Sequence, residues 1–125
     1  MAGLTLDAGA LIAFERNDRT IVALLSVAVA HRLPIHVPAG VVAQVWRDGR
    51  RQARLARLLG APDVAIDPLD DMAAREAGQL CGLRGASDVV DASVILNARR
   101  HGCRIASSDP DDLRRLDAGA DVIRV

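Results

Sequence analysis

The sequence predicts an α/β fold, a three-layer α/β/α sandwich around a short parallel sheet of four or five strands. Short apolar runs such as Leu4-Thr5-Leu6 and Ile35-His36-Val37 alternate with longer segments whose apolar residues recur at helical spacing. Cap residues open the helical segments, and glycine or proline closes them. Aspartates also recur where a strand-like run gives way to a helix, the edge at which parallel α/β sheets place their ligands.

The elements follow in order. Residues 3–6 read as a buried strand, and 8–16 as a helix with Leu11, Ile12 and Glu15 at helical spacing. A strongly apolar helix spans 20–32, and Pro34 separates it from a strand over 35–37. A helix over 39–47 is broken at Asp48-Gly49 and resumes over 50–59, where Gly60 stops it. Residues 64–66 form a strand, 70–83 a helix, and 84–87 a loop. A helix over 88–100 ends at His101-Gly102, then come a strand over 104–106, a helix over 109–116 and a last strand over 121–125.

At 125 residues the chain is expected to form a single domain, 1–125, large enough for one core. Half of its residues are apolar, which excludes a disordered chain. The longest apolar stretch, 21–30, is too short to span a bilayer, and no basic flank marks a secretory signal. We therefore expect a cytoplasmic protein without membrane association. Cys81 and Cys103 lack a second close pair and read as buried thiols in a reducing compartment. Zero net charge argues against coating nucleic acid by charge alone. Every base is Arg, and the acids are nearly all Asp, a bias to which a GC-rich genome contributes.

The placement of Asp7, Asp88, Asp91 and Asp109 remains to be explained. Each can be read as a helix cap, and Asp109-Pro110-Asp111-Asp112 is close to an ideal helix start. Capping does not explain why helices that follow different strands begin with acid at one sheet edge. Carboxylates gathered there repel one another unless a cation lies among them, and all-oxygen donors suit Mg²⁺ or Mn²⁺.

Four segments, Leu4-Thr5-Leu6-Asp7-Ala8-Gly9-Ala10-Leu11-Ile12-Ala13, Val37-Pro38-Ala39-Gly40-Val41-Val42-Ala43-Gln44-Val45-Trp46, Ser87-Asp88-Val89-Val90-Asp91-Ala92 and Ile105-Ala106-Ser107-Ser108-Asp109-Pro110-Asp111-Asp112-Leu113, resemble the signature blocks of the PIN-domain nucleases. More narrowly, the chain is similar to bacterial VapC-type toxins over almost its whole length. The resemblance implies a Mg²⁺- or Mn²⁺-dependent endoribonuclease, a homodimer, and a cognate antitoxin that silences it. It maps acidic ligands onto Asp7, Asp91 and Asp109, and a small hydroxyl residue onto Ser107. One position departs from the pattern, because the family's second acid falls on Gln44. An amide accepts a hydrogen bond but cannot neutralise a cation. Asp88, one helical turn from Asp91, is expected to restore the charge, the alternative being that it only caps its helix. Asp112 is an auxiliary candidate.

Arg47, Arg50, Arg51, Arg54 and Arg57 form the densest basic run and suit an RNA backbone or, equally, a solvated helix face. Trp46 reads as core or dimer interface. His31, His36 and His101 lack metal-ligand spacing and read as helix ends or strand surface. The function expected is cleavage of RNA by metal-activated water, with Asp7, Asp91 and Asp109 as ligands and Asp88 assisting. The alternative is a degenerate PIN-like domain that binds RNA or a protein without cutting. A phospho-receiver would need a Lys near the last strands, and a haloacid-dehalogenase-like phosphatase would need a second acid at Gly9; the chain has neither.

Overall fold

A computed structural model describes residues 3–125. Its sheet contains β1 (Leu4–Leu6), β2 (Ile35–Pro38), β3 (Val64–Asp67), β4 (Arg104–Ser107) and β5 (Val122–Arg124), in the order β3-β2-β1-β4-β5, with every pairing parallel. The expected α/β/α architecture and the five-stranded alternative for the sheet are thus realised. The helices are α1 (Ala8–Glu15), α2 (Arg19–Ala30), α3 (Ala39–Val45), α4 (Ala53–Leu59), α5 (Asp71–Arg84), α6 (Val89–His101) and α7 (Pro110–Leu116).

Strand order decides where each helix lies. Crossovers between parallel neighbours are right-handed, so β1 to β2 to β3 runs one way across the sheet and lays α1 to α4 on one face. From β3 the chain jumps past β2 and β1 to β4 and proceeds in the opposite direction, which lays α5 to α7 on the other face. The reversal opens a crevice beyond the carboxyl ends of β1 and β4, where such sheets hold ligands.

The central strand is fully buried. Leu4, Leu6, Leu11, Ile35, Val37, Val41, Leu55, Val94, Ile95, Ile105 and Leu113 fill the two interlayer spaces. Thr5 is the polar exception on β1, and its hydroxyl donates to Asn97 Oδ1 of α6 at 2.9 Å. No helix among the described residues is long and apolar enough to cross a membrane.

Element boundaries agree with the periodic pattern except around Gln52. The helix expected over 39–47 ends at Val45, and the one expected over 50–59 begins at Ala53, so Arg50 and Arg51 lie on a loop. The Gln52 side chain is the reason. Its Oε1 accepts from the amides of Arg47 (2.7 Å) and Asp48 (3.0 Å), while its Nε2 donates to Val45 O (2.8 Å) and to the Glu15 carboxylate (3.2 Å). One amide thus supplies the partners that another helical turn would have supplied. Trp46 follows α3 and is 38% exposed, which removes the core reading. Cys81 is buried, Cys103 is half-buried, and both are free thiols.

Candidate functional site: an acidic crevice

Asp7 leaves β1 at the crevice and caps α1, its Oδ1 accepting from Ala10 N at 2.8 Å. It is the most buried of the acids singled out from the sequence. Burial pushes its carboxyl above the usual range, a hydrogen bond with Ser107 and the Ala10 amide work against that rise, and the charge of Asp109 adds to it. Ser107, fully buried at the end of β4, also accepts from Asp109 N at 2.9 Å through its Oγ. The hydroxyl therefore ties the Asp7 carboxyl to the loop that carries Asp109.

Asp88 caps α6, its Oδ1 accepting from Val90 N (3.1 Å) and Asp91 N (2.9 Å). Asp91 lies in the first turn, half-buried, and its pKa is pushed up to about 6. Burial is the largest cause, followed by the charges of Asp88, Asp7, Asp112 and Asp109. Asp109 caps α7 through Asp112 N, and the Asp112 carboxyl is raised by its hydrogen bond with Asp109 and by that residue's charge. Acids that arrive on three separate helices therefore share one electrostatic neighbourhood, although each also caps or opens a helix. Capping and clustering are both true of them. Their oxygens are nonetheless spread out, since no three of them come within 4.8 Å of one another. The donors are all hard oxygens, and among the described residues only Asp112 of these acids has a basic partner, Arg115 at 2.7 Å; the set fits a hard divalent cation that would draw it inward.

Gly9 holds the crevice closed from the α1 side. A Cβ there would stand 1.9 Å from Ser108 Oγ and 3.0 Å from Ser108 Cβ. Gly9→Ala is therefore expected to push back the loop that carries Asp109, lowering stability by about 1–3 kcal/mol as overpacking does and weakening divalent-ion binding. Thermal unfolding and Mn²⁺ titration check both effects.

The remaining candidates are placed differently. Gln44 is exposed and stands four residues after Gly40, where an added Cβ would meet Val90 of α6 at 3.4 Å. Residues four apart share a helix face, so Gln44 lies on the side of α3 turned to α6. The arginines separate into two kinds. Arg47 donates to Ala43 O (3.2 Å) and Trp46 O (2.7 Å), closing the end of α3. Arg54 donates to Asn17 Oδ1 (3.0 Å) and covers the Phe14 ring at 4.9 Å. Those two are committed to local structure. Arg50 makes a loose, exposed pair with Asp48 at 3.5 Å, and Arg51 and Arg57 have no side-chain partner among the described residues.

A second group of polar residues was not foreseen from the sequence. His31 does mark a helix end, its Nδ1 2.9 Å from Val27 O. His36 lies on a strand and His101 at a helix end, as expected, but the two converge, which the lack of metal-ligand spacing did not suggest. Their rings stack at 3.7 Å with an interplanar angle of 11°. Asp67 Oδ2 lies 2.8 Å from His36 Nδ1 and 3.3 Å from His101 Nε2, and accepts from Asn97 Nδ2 at 2.7 Å. Burial pushes the Asp67 carboxyl up, but the bonds from Asn97 and His36 outweigh it and leave the pKa below the usual value.

A five-stranded parallel sheet with helices on both faces and acids gathered at its switch point define a PIN-like α/β domain. The chain belongs to the PIN domain family, whose sequence profile matches residues 4–119. Among solved structures it is similar to VapBC2 from Rickettsia felis bound to a DNA fragment from its promoter, with a TM-score of 0.74 and 12% identity over 98% of both chains. It is also similar to Mycobacterium tuberculosis VapC20, a Sarcin-Ricin loop cleaving toxin, with a TM-score of 0.71 and 16% identity over 98% of this chain and 100% of that one. A third likeness is to FitAcB from Neisseria gonorrhoeae, with a TM-score of 0.64 and 20% identity over 97% of this chain and 96% of that one. Comparison with curated protein sequences gives no significant match.

Proposed function

We propose that this PIN domain is a Mg²⁺- or Mn²⁺-dependent endoribonuclease and the toxin of a cytoplasmic toxin–antitoxin pair. The observation that carries the reading is the meeting of Asp7, Asp91 and Asp109 from three different helix starts at one sheet edge, where burial and the neighbouring acids push the Asp91 pKa up to about 6. Charge held in such opposition is the signature of a site built for a cation and a reaction, since structural caps gain nothing from it.

Asp7, Asp91 and Asp109 would hold the ion, with Asp88 and Asp112 at its margin. When bound, such an ion supplies Lewis-acid stabilisation of the charge that builds on the phosphate oxygens. The protein's own groups do the rest. Ala10 N–H and Ser107 fix the Asp7 carboxylate, so its aim is set before substrate arrives. Asp109 is anchored by its amide to Ser107 Oγ. Asp88, which caps α6 one turn from Asp91, would orient an attacking water beside the ion.

Arg51 and Arg57, exposed and without partners, are the residues of the basic run best suited to an RNA backbone; Arg50 is nearly so, whereas Arg47 and Arg54 act mainly on the fold. Replacing Arg51 and Arg57 together by Gln is expected to weaken RNA binding several-fold and lower its salt dependence without shifting the unfolding temperature. Equal binding by the double variant at low salt would place the substrate path elsewhere.

An apolar groove lined by Phe14, Val22, Leu25, Val29 and Leu58, beside exposed Val27, supports burial of this face in a homodimer or beneath an antitoxin segment. The alternative is a PIN-like domain that binds without cutting, favoured by the neutral amide of Gln44. Incubation of the purified protein with total RNA, with and without Mg²⁺ or Mn²⁺, separates the two. Metal-dependent cleavage that EDTA stops is the expected result; intact RNA at millimolar Mn²⁺ would overturn the nuclease reading.

A further inference from the structure

His36, Asp67 and His101 form the one group of three metal-ligating side chains among the described residues whose ligand atoms all lie within 4.8 Å of one another. They come from the middle of β2, the end of β3 and the last turn of α6. The sheet register explains how residues so distant in sequence meet. Thr5 pairs with His36, and His36 with Ala65. Thr5 faces α6, because its hydroxyl bonds Asn97, and so His36 and, two residues beyond Ala65, Asp67 face α6 as well.

We propose that His36, Asp67 and His101 constitute a second metal site that takes a borderline divalent ion, Zn²⁺ in preference to Mg²⁺, and ties the edge strand β3 to β2 and α6. Two imidazoles and one carboxylate are a nitrogen-rich donor set, which selects Zn²⁺, Co²⁺ or Ni²⁺ over the hard cations suited to the all-oxygen crevice. The distances agree with this. Metal–ligand bonds of ~2.0–2.2 Å in a tetrahedron set neighbouring donor atoms ~3.4 Å apart, and Asp67 Oδ2 lies 2.8 and 3.3 Å from the two nitrogens. The outer partners are also in place, since Asn97 Nδ2 donates to the Asp67 carboxylate and Asn97 Oδ1 is in turn held by buried Thr5.

One adjustment is required. In near-parallel rings the nitrogen lone pairs lie in parallel planes, so an ion shared by both needs one ring to turn. His101 is the one placed to turn, being 29% exposed against 13% for His36. Solvent reaches Asp67 and His101 and supplies the fourth ligand. The site is separate from the acidic crevice, because His101 lies ten residues beyond Asp91, about 15 Å along α6 at 1.5 Å per residue.

The test titrates Co²⁺ and Zn²⁺ onto the metal-stripped full-length chain in the presence of millimolar Mg²⁺, which occupies hard-oxygen sites. Expected are one equivalent of Co²⁺ with the strong visible bands of low-coordinate cobalt, displacement by Zn²⁺, and a Zn²⁺-dependent rise in unfolding temperature. His36→Gln and His101→Gln should each weaken binding at least tenfold, whereas Asp91→Asn should leave the bands unchanged. If His36→Gln does not fold, the more exposed His101→Gln decides alone. Absence of stoichiometric binding, bands unaltered in His101→Gln, or bands lost in Asp91→Asn would each overturn the site. Because none of these readouts involves RNA, failure here is distinguishable from failure of the nuclease assignment.

Discussion

Asp91→Asn is expected to abolish RNA cleavage while making the metal-free protein more stable at neutral pH. Loss of even an outer partner of a metal ligand costs about 10–100-fold, so loss of a charged ligand should exceed about 100-fold in activity. The stability effect has the opposite sign. The folded-state pKa of Asp91 is raised from 3.8 to about 6, so the folded protein binds this proton more tightly than the unfolded chain does. Stability therefore falls as pH rises from about 4 to about 6, and above that range the penalty is complete. Two pKa units correspond to ~3 kcal/mol, of which solvent screening around a half-exposed carboxyl leaves about 1–2 kcal/mol. Asparagine removes that penalty at pH 8 and changes nothing at pH 4. Unfolding curves at the two pH values in EDTA, with cleavage assays alongside, check the pair of effects. Wild-type activity in the variant would remove Asp91 from the site, and equal stability of the two proteins at pH 8 would mean that its charge is not opposed.

The second large effect concerns the charge count. Asp88→Asn should preserve the helix cap, because asparagine caps about as well as aspartate, yet lower cleavage at least tenfold, since Asp88, one helical turn from Asp91, is the acid expected to restore the charge missing at Gln44. It should also lower the Asp91 pKa, as Asp88 is the strongest charge acting on it. Gln44→Glu should raise Mn²⁺ affinity in both backgrounds, measurable by calorimetry. Unchanged cleavage in Asp88→Asn would reduce Asp88 to its cap. Unchanged metal affinity in Gln44→Glu would show that the exposed face of α3 lies out of reach of the ion.

Much of this was legible because it was local. Asp109-Pro110-Asp111-Asp112 announces a helix start, and Asp88 with Asp91 does the same, whatever the rest of the chain does. The strand-to-helix position of these acids then places them at the carboxyl edge, and the mutual charge effects among Asp7, Asp88, Asp91, Asp109 and Asp112 agree with that placement. What escaped depends on partners distant in sequence. The loop around Arg50 and Arg51 is set by the Gln52 amide reaching Glu15 on another helix, and helical periodicity continues past the break. His36, Asp67 and His101 meet only because β1, β2 and β3 pair in one particular register, which no spacing in the sequence reveals. The arginine run looks uniform on paper, yet Phe14 and the end of α3 claim two of its members.

The strand order bears on when the acidic crevice can assemble during synthesis. β1 emerges from the ribosome first but stands at the centre of the sheet, between β2 and β4. Until β4 is made, one edge of this wholly apolar-flanked strand has no hydrogen-bond partner, and Asp7 lacks Ser107 beside it. β3, β2 and β1 can pair early, as a half-sheet, but β4 must be translated before Asp109 joins Asp7 and Asp91. Chains that stop before β4 therefore carry no complete acidic crevice.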